Sequence, residues 1–301
     1  MKILYVTTPD PSAQGDYQEN MILHGIRENL ATGFVDFPRK KVMYGDFSET
    51  VRKELHGLGF TLYSAPITDL DKNQRVLDKI DVILYGVTNA YGVTDFPDIN
   101  KYCDQIWYID GHDTSDIKKT PCFKRELFVE QANVYPTGFG IPEHQIKSID
   151  FSIKSQKFQV TAPAEAYFKP EVMRHLVNYY SFSWEQEKEY YFDMQKSWFG
   201  LTCKKGGWDS LRHYEIMASG ALLLFREYDK KPELCSPANL PCFSYSSLEE
   251  LSEITNRLVV NNKPTKEYIE MLFAQREWLL KYGTTKTRGL QILKVLANKV
   301  L

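Results

Sequence analysis

The chain has 301 residues, 43% of them hydrophobic and 25% charged, with 37 Lys plus Arg against 39 Asp plus Glu and a net charge of -2. That size and balance fit two globular domains of about 150 residues each, and exclude a disordered chain or one held to nucleic acid by bulk charge alone. The five cysteines show no zinc-ligand spacing, and no apolar run nears the ~20 residues of a membrane span. A soluble, cytoplasmic protein with reduced thiols, no secretory leader and no metal is expected.

In chain order, the first half alternates short apolar runs with helical patterns. Residues 2–7 read as a buried strand, 17–31 as a helix and 33–37 as a second strand. Ser48 is placed to cap a helix to about 58, 60–63 follows as a strand, and 76–80 closes a short helix. Residues 81–85 and 105–110 are further strands. Such alternation implies parallel βαβ units, whose ligands sit at the carboxyl ends of the strands.

Three strand-end segments then become candidates. In the first, Asp16, Tyr17 and Glu19 either line an acceptor pocket or form a helix cap, with Asp16 and Glu19 as a capping box. The second, Asp110-Gly111-His112-Asp113, places an imidazole beside carboxylates that tune its charge, as a general base requires. Its plainer reading is a strand-to-helix loop whose aspartates cap backbone N–H groups. Third, residues 118–126 carry Lys118, Lys119, Lys124 and Arg125. They form either a solvated basic turn or positive charge beside a cleft.

Gly and Pro punctuate residues 136–142, the natural hinge. Beyond it, 157–161 reads as a strand, 170–178 and 185–196 as helices, and 198–203 as a strand. Helices over 248–260, 266–281 and 284–299 close the chain. The expected division is 1–142, 143–283 and a final helix, 284–301, returning to the first domain. Ten aromatics between 179 and 208 serve mainly core packing, with Trp208 best placed to stack on a base or sugar and Arg174 a weaker phosphate ligand.

The most informative stretch is Lys204-Lys205-Gly206-Gly207-Trp208, which runs into a helix carrying Arg212 and Glu215, then Gly220 and a strand over 221–225. A glycine turn at a helix start offers unpaired N–H groups, a favourable dipole and room for phosphate to approach. Arg212 and Glu215, three residues apart, share one helix face. A cation and a carboxylate side by side suit a ligand with a phosphate end and a hydroxyl-rich end.

The segment Gly206-Gly207-Trp208 … Arg212-His213-Tyr214-Glu215-Ile216-Met217-Ala218-Ser219-Gly220-Ala221 resembles the donor site of GT-B-fold glycosyltransferases. Its Arg-x-Tyr-Glu form is closer to spore-protein-like and phage-borne members. The resemblance implies two Rossmann-like α/β domains facing across a cleft and a UDP- or GDP-sugar donor, with no obligatory cofactor or metal. It puts Glu215 on the donor ribose and Lys204, Lys205, Gly206, Gly207 and Arg212 at the phosphates. The acceptor-side base is then to be drawn from Asp113, His112 and Asp110, with Asp113 the first choice and the other two open. Many retaining members have a second glutamate eight positions before the first. Here that position is Gly207, so the stereochemical course is not assigned.

The expected activity is hexosyl or pentosyl transfer to a hydroxyl of a glycan, a small molecule or modified DNA. Two alternatives stand beside it: a phage-type enzyme glycosylating hydroxymethylated bases, and a non-catalytic nucleotide-sugar binding protein. A nicotinamide oxidoreductase is disfavoured because no G-x-G-x-x-G follows the first strand.

Overall fold

β1 (Ile3–Val6) enters an all-parallel sheet whose strand order is β2-β1-β3-β4-β5-β6. The computed structural model describes residues 1–7, 17–30, 32–44, 79–86, 97–159 and 186–300. The elements expected over 48–63, 76–78 and 170–178 lie outside the described residues, as do Asp16, Arg174 and the aromatics before residue 186.

The remaining strands of this sheet are β2 (Phe34–Phe37), β3 (Val82–Tyr85), β4 (Ile106–Asp110), β5 (Cys122–Lys124) and β6 (Val134–Pro136). Every residue of β3 is buried, the signature of a parallel strand covered on both faces. Register pairs Ile3 with both Phe34 and Val82, and Tyr108 with Cys122.

β5 and β6 are not among the expected strands, and β5 takes up part of residues 118–126, where a solvated basic turn or positive charge beside a cleft is expected. The solvated-turn reading is wrong for Lys124, Arg125 and Glu126, which are buried with their charges paired. Nor does a helix follow β4 directly: the chain runs through an irregular loop into β5.

A second parallel sheet has the order β10-β9-β8-β7, from β7 (Gln156–Phe158), β8 (Ser197–Cys203), β9 (Leu222–Arg226) and β10 (Phe243–Tyr245). A small antiparallel pair, β11 (Val259–Val260) and β12 (Lys263–Pro264), lies apart from it.

The helices among the described residues are α1 (Tyr17–Asn29), α2 (Pro97–Asn100), α3 (Glu187–Gln195), α4 (Leu211–Ser219), α5 (Leu248–Leu258), α6 (Lys266–Tyr282) and α7 (Thr285–Val300). Ser247 caps α5 and Thr265 caps α6 through their side-chain oxygens, each stabilising its helix by about 1 kcal/mol. One apolar cluster joins the helices of both sheets, from Ile3 and Ile26 through Tyr214 and Ile216 to Trp278 and Leu296.

α7 packs along α1. A Cβ on Gly25 would strike the Thr285 carbonyl, and one on Gly289 would strike the Gly25 carbonyl. His24 Nδ1 lies 2.9 Å from Thr285 Oγ1, and Asn29 Nδ2 donates to the Lys286 carbonyl at 2.8 Å. Beside this contact the two crossings between the sheets meet. The Ile141 N–H donates to the Gly283 carbonyl at 2.9 Å, and the Thr285 N–H to the Ile141 carbonyl at 3.0 Å.

Candidate functional site

β8 is buried throughout and ends at Cys203, where the chain turns over Lys204-Lys205-Gly206-Gly207. The Lys205 N–H donates to the Gly207 carbonyl at 3.0 Å, and the Lys204 ammonium lies 5.2 Å over the Trp208 ring. Trp208 points inward, only 7% exposed, in a cluster with Phe225 and Cys235. It is therefore packing for the turn, with Lys204 over its ring, where the sequence suggested a stacking surface.

α4 starts as expected. Ser210 is its N-cap, accepting from the Arg212 N–H, and Gly220 ends it in the left-handed region at φ 79°. His213 is fully buried between Thr202 Oγ1 at 2.8 Å and the Trp208 carbonyl at 3.0 Å. Burial lowers its pKa to about 4, so the neutral ring is a fixed strut behind the turn.

Arg212 and Glu215 do share a face, with Arg212 Nε 3.5 Å from Glu215 Oε2. Two tyrosines of α3 complete the Glu215 environment: Tyr190 donates to Oε2 at 2.6 Å and Tyr191 to Oε1 at 3.3 Å. The Arg212 guanidinium lies 4.9 Å over the Tyr190 ring, while its Nε and Nη1 are buried without a hydrogen-bond partner. The Glu215 carboxylate is the anion beside this guanidinium, an ion pair between residues three apart on one helix face. Tyr17, at the start of α1, adds to the electrostatic disfavour of the Tyr190 phenolate, behind burial and Glu215. The α1 start thus adjoins the Glu215 cluster.

The ends of β4 and β5 face the glycine turn. A Cβ on Gly206 would collide with the Asp113 carboxylate, and one on Gly207 with the Glu126 carboxylate. Arg125, 2% exposed, binds the two sides together. Its Nη1 donates to the Asp209 carbonyl at 2.7 Å, and its Nη2 to the Gly111 carbonyl at 2.7 Å and to the Asp113 carboxylate.

Glu126 Oε1 accepts from the Asp209 N–H at 3.0 Å. Burial pushes its carboxyl above the usual carboxylate range, opposed by backbone hydrogen bonds from Trp208 and Asp209 and by the Arg125 charge. The Asp209 side chain accepts from the Phe139 N–H at 2.7 Å and from the Tyr214 hydroxyl at 3.0 Å.

Among the base candidates, Asp110 is buried against the Lys124 ammonium at 2.9 Å and accepts from the His112 N–H at 3.1 Å. For Asp110 the capping alternative is the observed one. His112 is half-buried, and Asp113 is the exposed member that reaches the turn. Glu19, fully buried, pairs with Lys40 at 3.2 Å beside Gly86 at the end of β3.

The sequence reading missed Arg125, Glu126 and Asp209 as partners of the turn, and Tyr190 and Tyr191 as partners of Glu215. The available signal was the run Lys124-Arg125-Glu126 directly after apolar Cys122-Phe123, three charges at a strand end. Among the described residues no group of three or more His, Cys, Asp or Glu is placed to hold a metal, and no helix is long and apolar enough to cross a membrane.

No protein-family model and no curated protein matches the chain. Solved structures do resemble it in fold. A glycosyltransferase from Rickettsia africae ESF-5 superposes with a TM-score of 0.54 at 8% identity, over 99% of this chain and 98% of the other. Anabaena HepE, solved with UDP and glucose, gives 0.54 at 10% identity, over 99% and 100%. The N-terminal domain of Candida albicans trehalose-6-phosphate phosphatase gives 0.53 at 11% identity, over 99% and 97%. At such identities the likeness is one of fold: an α/β protein of parallel sheets, shared with glycosyltransferases over nearly the whole chain.

Proposed function

We propose that the protein is a GT-B-type glycosyltransferase, with residues 1–142 and 143–283 as Rossmann-like domains across a cleft and 284–301 closing back on the first. It transfers a hexose or pentose from a UDP- or GDP-sugar to a hydroxyl acceptor. The observation that carries this reading is the Arg212–Glu215 pair: a guanidinium and a carboxylate 3.5 Å apart on one helix face, with Arg212 in the first turn of the helix that follows Gly206-Gly207. A diphosphate on the turn meets the Arg212 guanidinium, with Lys204 and Lys205 adding charge, while Glu215 takes the ribose hydroxyls. As the glycosidic bond breaks, charge grows on the leaving diphosphate, and preorganised cations stabilise it. The likeness to HepE, solved with UDP and UDP-glucose, supports the donor class.

Asp113 and His112 are the acceptor-side pair from which the base is drawn. Asp113 also presses on the glycine turn, so donor seating and acceptor activation share one loop. The Glu215 carboxylate already holds Tyr190 and Tyr191, which favours a second reading, nucleotide-sugar binding without transfer. A UDP-release assay separates the two, since only a transferase liberates UDP.

The donor-site test is a thermal-shift titration with UDP, GDP and their sugars, because a ligand of the folded state raises its stability. Arg212→Ala is expected to weaken nucleotide affinity about 10- to 100-fold, the worth of one or two charge-assisted hydrogen bonds. Wild-type affinity in both Arg212→Ala and Glu215→Ala overturns the assignment.

A further inference from the structure

Away from the glycine turn, a cavity of about 450 Å³ opens between β5 and β6, the 234–239 loop and the helices α6 and α7. Packed interiors hold few voids larger than a water molecule, whereas ligand pockets begin near ~300 Å³. This space is of ligand size. Four aromatic rings line it, Phe123 and Tyr135 on the strands and Trp278 and Tyr282 on α6.

The charges around it have one sign. Arg288 and Lys294 of α7 line the cavity, and no Asp or Glu among the described residues does. Arg288 is already engaged, donating to the Phe139 carbonyl, Gln291 Oε1 and the Tyr214 hydroxyl at 3.0, 3.2 and 3.3 Å. Lys294 is exposed and makes no ion pair among the described residues. Its ammonium is the group available to an incoming anion.

We propose that this cavity is a second small-molecule site, taking an amphipathic monoanion: an aromatic or apolar body seated among the rings, its acid group at Lys294. A buried acid needs a charged or hydrogen-bonding partner, and one mobile ammonium at the rim supplies it without desolvating a second cation. Among the described residues, Arg288 and Lys294 are the only cations of the lining and Arg288 is already engaged, which suits one anionic charge and not the several of a nucleoside diphosphate. The site stands independently of the glycosyltransferase reading.

The test is isothermal titration of the full chain with 4-phenylbutyrate and indole-3-butyrate, and with their uncharged amides. Both acids are expected to bind saturably, and the amides about two- to fivefold more weakly, the worth of one exposed charge contact. Lys294→Glu, at an exposed position, weakens the acids by at least that factor. Ala238→Trp fills the cavity from the loop and abolishes binding, while Arg212→Ala leaves it unchanged.

Absence of saturable binding by either acid at millimolar concentration overturns the proposal. So does equal affinity for acid and amide together with an unaltered Lys294→Glu variant. Loss of acid binding in Arg212→Ala also overturns it, by moving the acid to the glycine turn. Should Ala238→Trp not fold, the amide comparison and Lys294→Glu decide the matter.

Discussion

Two pairs of glycines do opposite work in this molecule. Gly25 and Gly289 sit where α1 crosses α7, and an added Cβ at either would meet backbone atoms. Gly206 and Gly207 sit in the turn before α4, and an added Cβ there would meet the carboxylate ends of Asp113 and Glu126. Backbone within packed helices has nowhere to go, whereas the end of a side chain can rotate. The first contact is a rigid joint that shapes the fold. The second is held by charge and hydrogen bonds, so ligand, pH or substitution can adjust it.

The contrast can be broken most sharply at Arg125, which ties the adjustable contact together. Arg125→Ala leaves Asp113 and Glu126 without their cation and the Asp209 and Gly111 carbonyls without a donor. Losing one partner of a buried ion pair costs about 3–5 kcal/mol, and urea unfolding should show it. A loss under about 1 kcal/mol would mean that the carboxylates, not the arginine, hold the two sides.

Next in size is Gly289→Ala. Alanine favours a helix over glycine by about 1 kcal/mol, yet overpacking against backbone is expected to reverse the sign and destabilise by about 2–3 kcal/mol. Unchanged or raised stability in the same melts would remove the rigid joint from the picture.

Acid probes both regions at once. His24 at the α1–α7 contact and His213 behind the glycine turn are each held at about 4 by burial, below the usual 6.5. A coulombic push from His144 adds to the His24 shift. Folded-state values below the unfolded ones mean that the unfolded chain binds more protons between these pH values. Stability is therefore full above about pH 6.5 and falls as pH drops toward 4, by about 1.4 kcal/mol per unit for each histidine. Urea melts at pH 6.5, 5.5 and 4.5 should show proton uptake on unfolding reduced by about one in His24→Gln and again by one in His213→Gln. An unchanged slope in either variant contradicts the burial argument for that ring.

The smallest stability change belongs to Gly207→Ala, expected to cost under about 1 kcal/mol because Glu126 can shift. UDP affinity should nevertheless fall about tenfold, as one close backbone approach to phosphate is lost. A double-mutant cycle of Gly206→Ala with Asp113→Ala sharpens the point. Removing the carboxylate should relieve the collision, a coupling of about 0.5–1 kcal/mol. Strict additivity would say that the two groups do not press on one another.

The same contrast explains what could be read from the chain. β1, β3, β8 and β9 are apolar runs, and hydrophobicity alone locates them. α4 announces itself by Ser210, its apolar stripe and Gly220. β5 is hidden because Lys124 and the two residues after it are buried only by virtue of partners, Asp110 for Lys124 and, far away in sequence, Asp209 for Arg125 and Glu126. Glu126 meets Asp209 across 83 positions, and Arg125 meets it across 84. Gly206 and Gly207 are legible only as a turn at a helix start, and the phosphate role remains a proposal. That they make room for Asp113 and Glu126 depends on tertiary contact, to which a local pattern is blind.

The bridge between Ile141 and Thr284 has a mechanical consequence. The chain crosses from one sheet to the other there and returns there, its two spans side by side and bonded to each other. A paired ribbon resists twisting and stretching far more than bending. Any bend between the two sheets would have to flex both spans together, beside the α1–α7 contact where Ile141 bonds to Gly283 and Thr285.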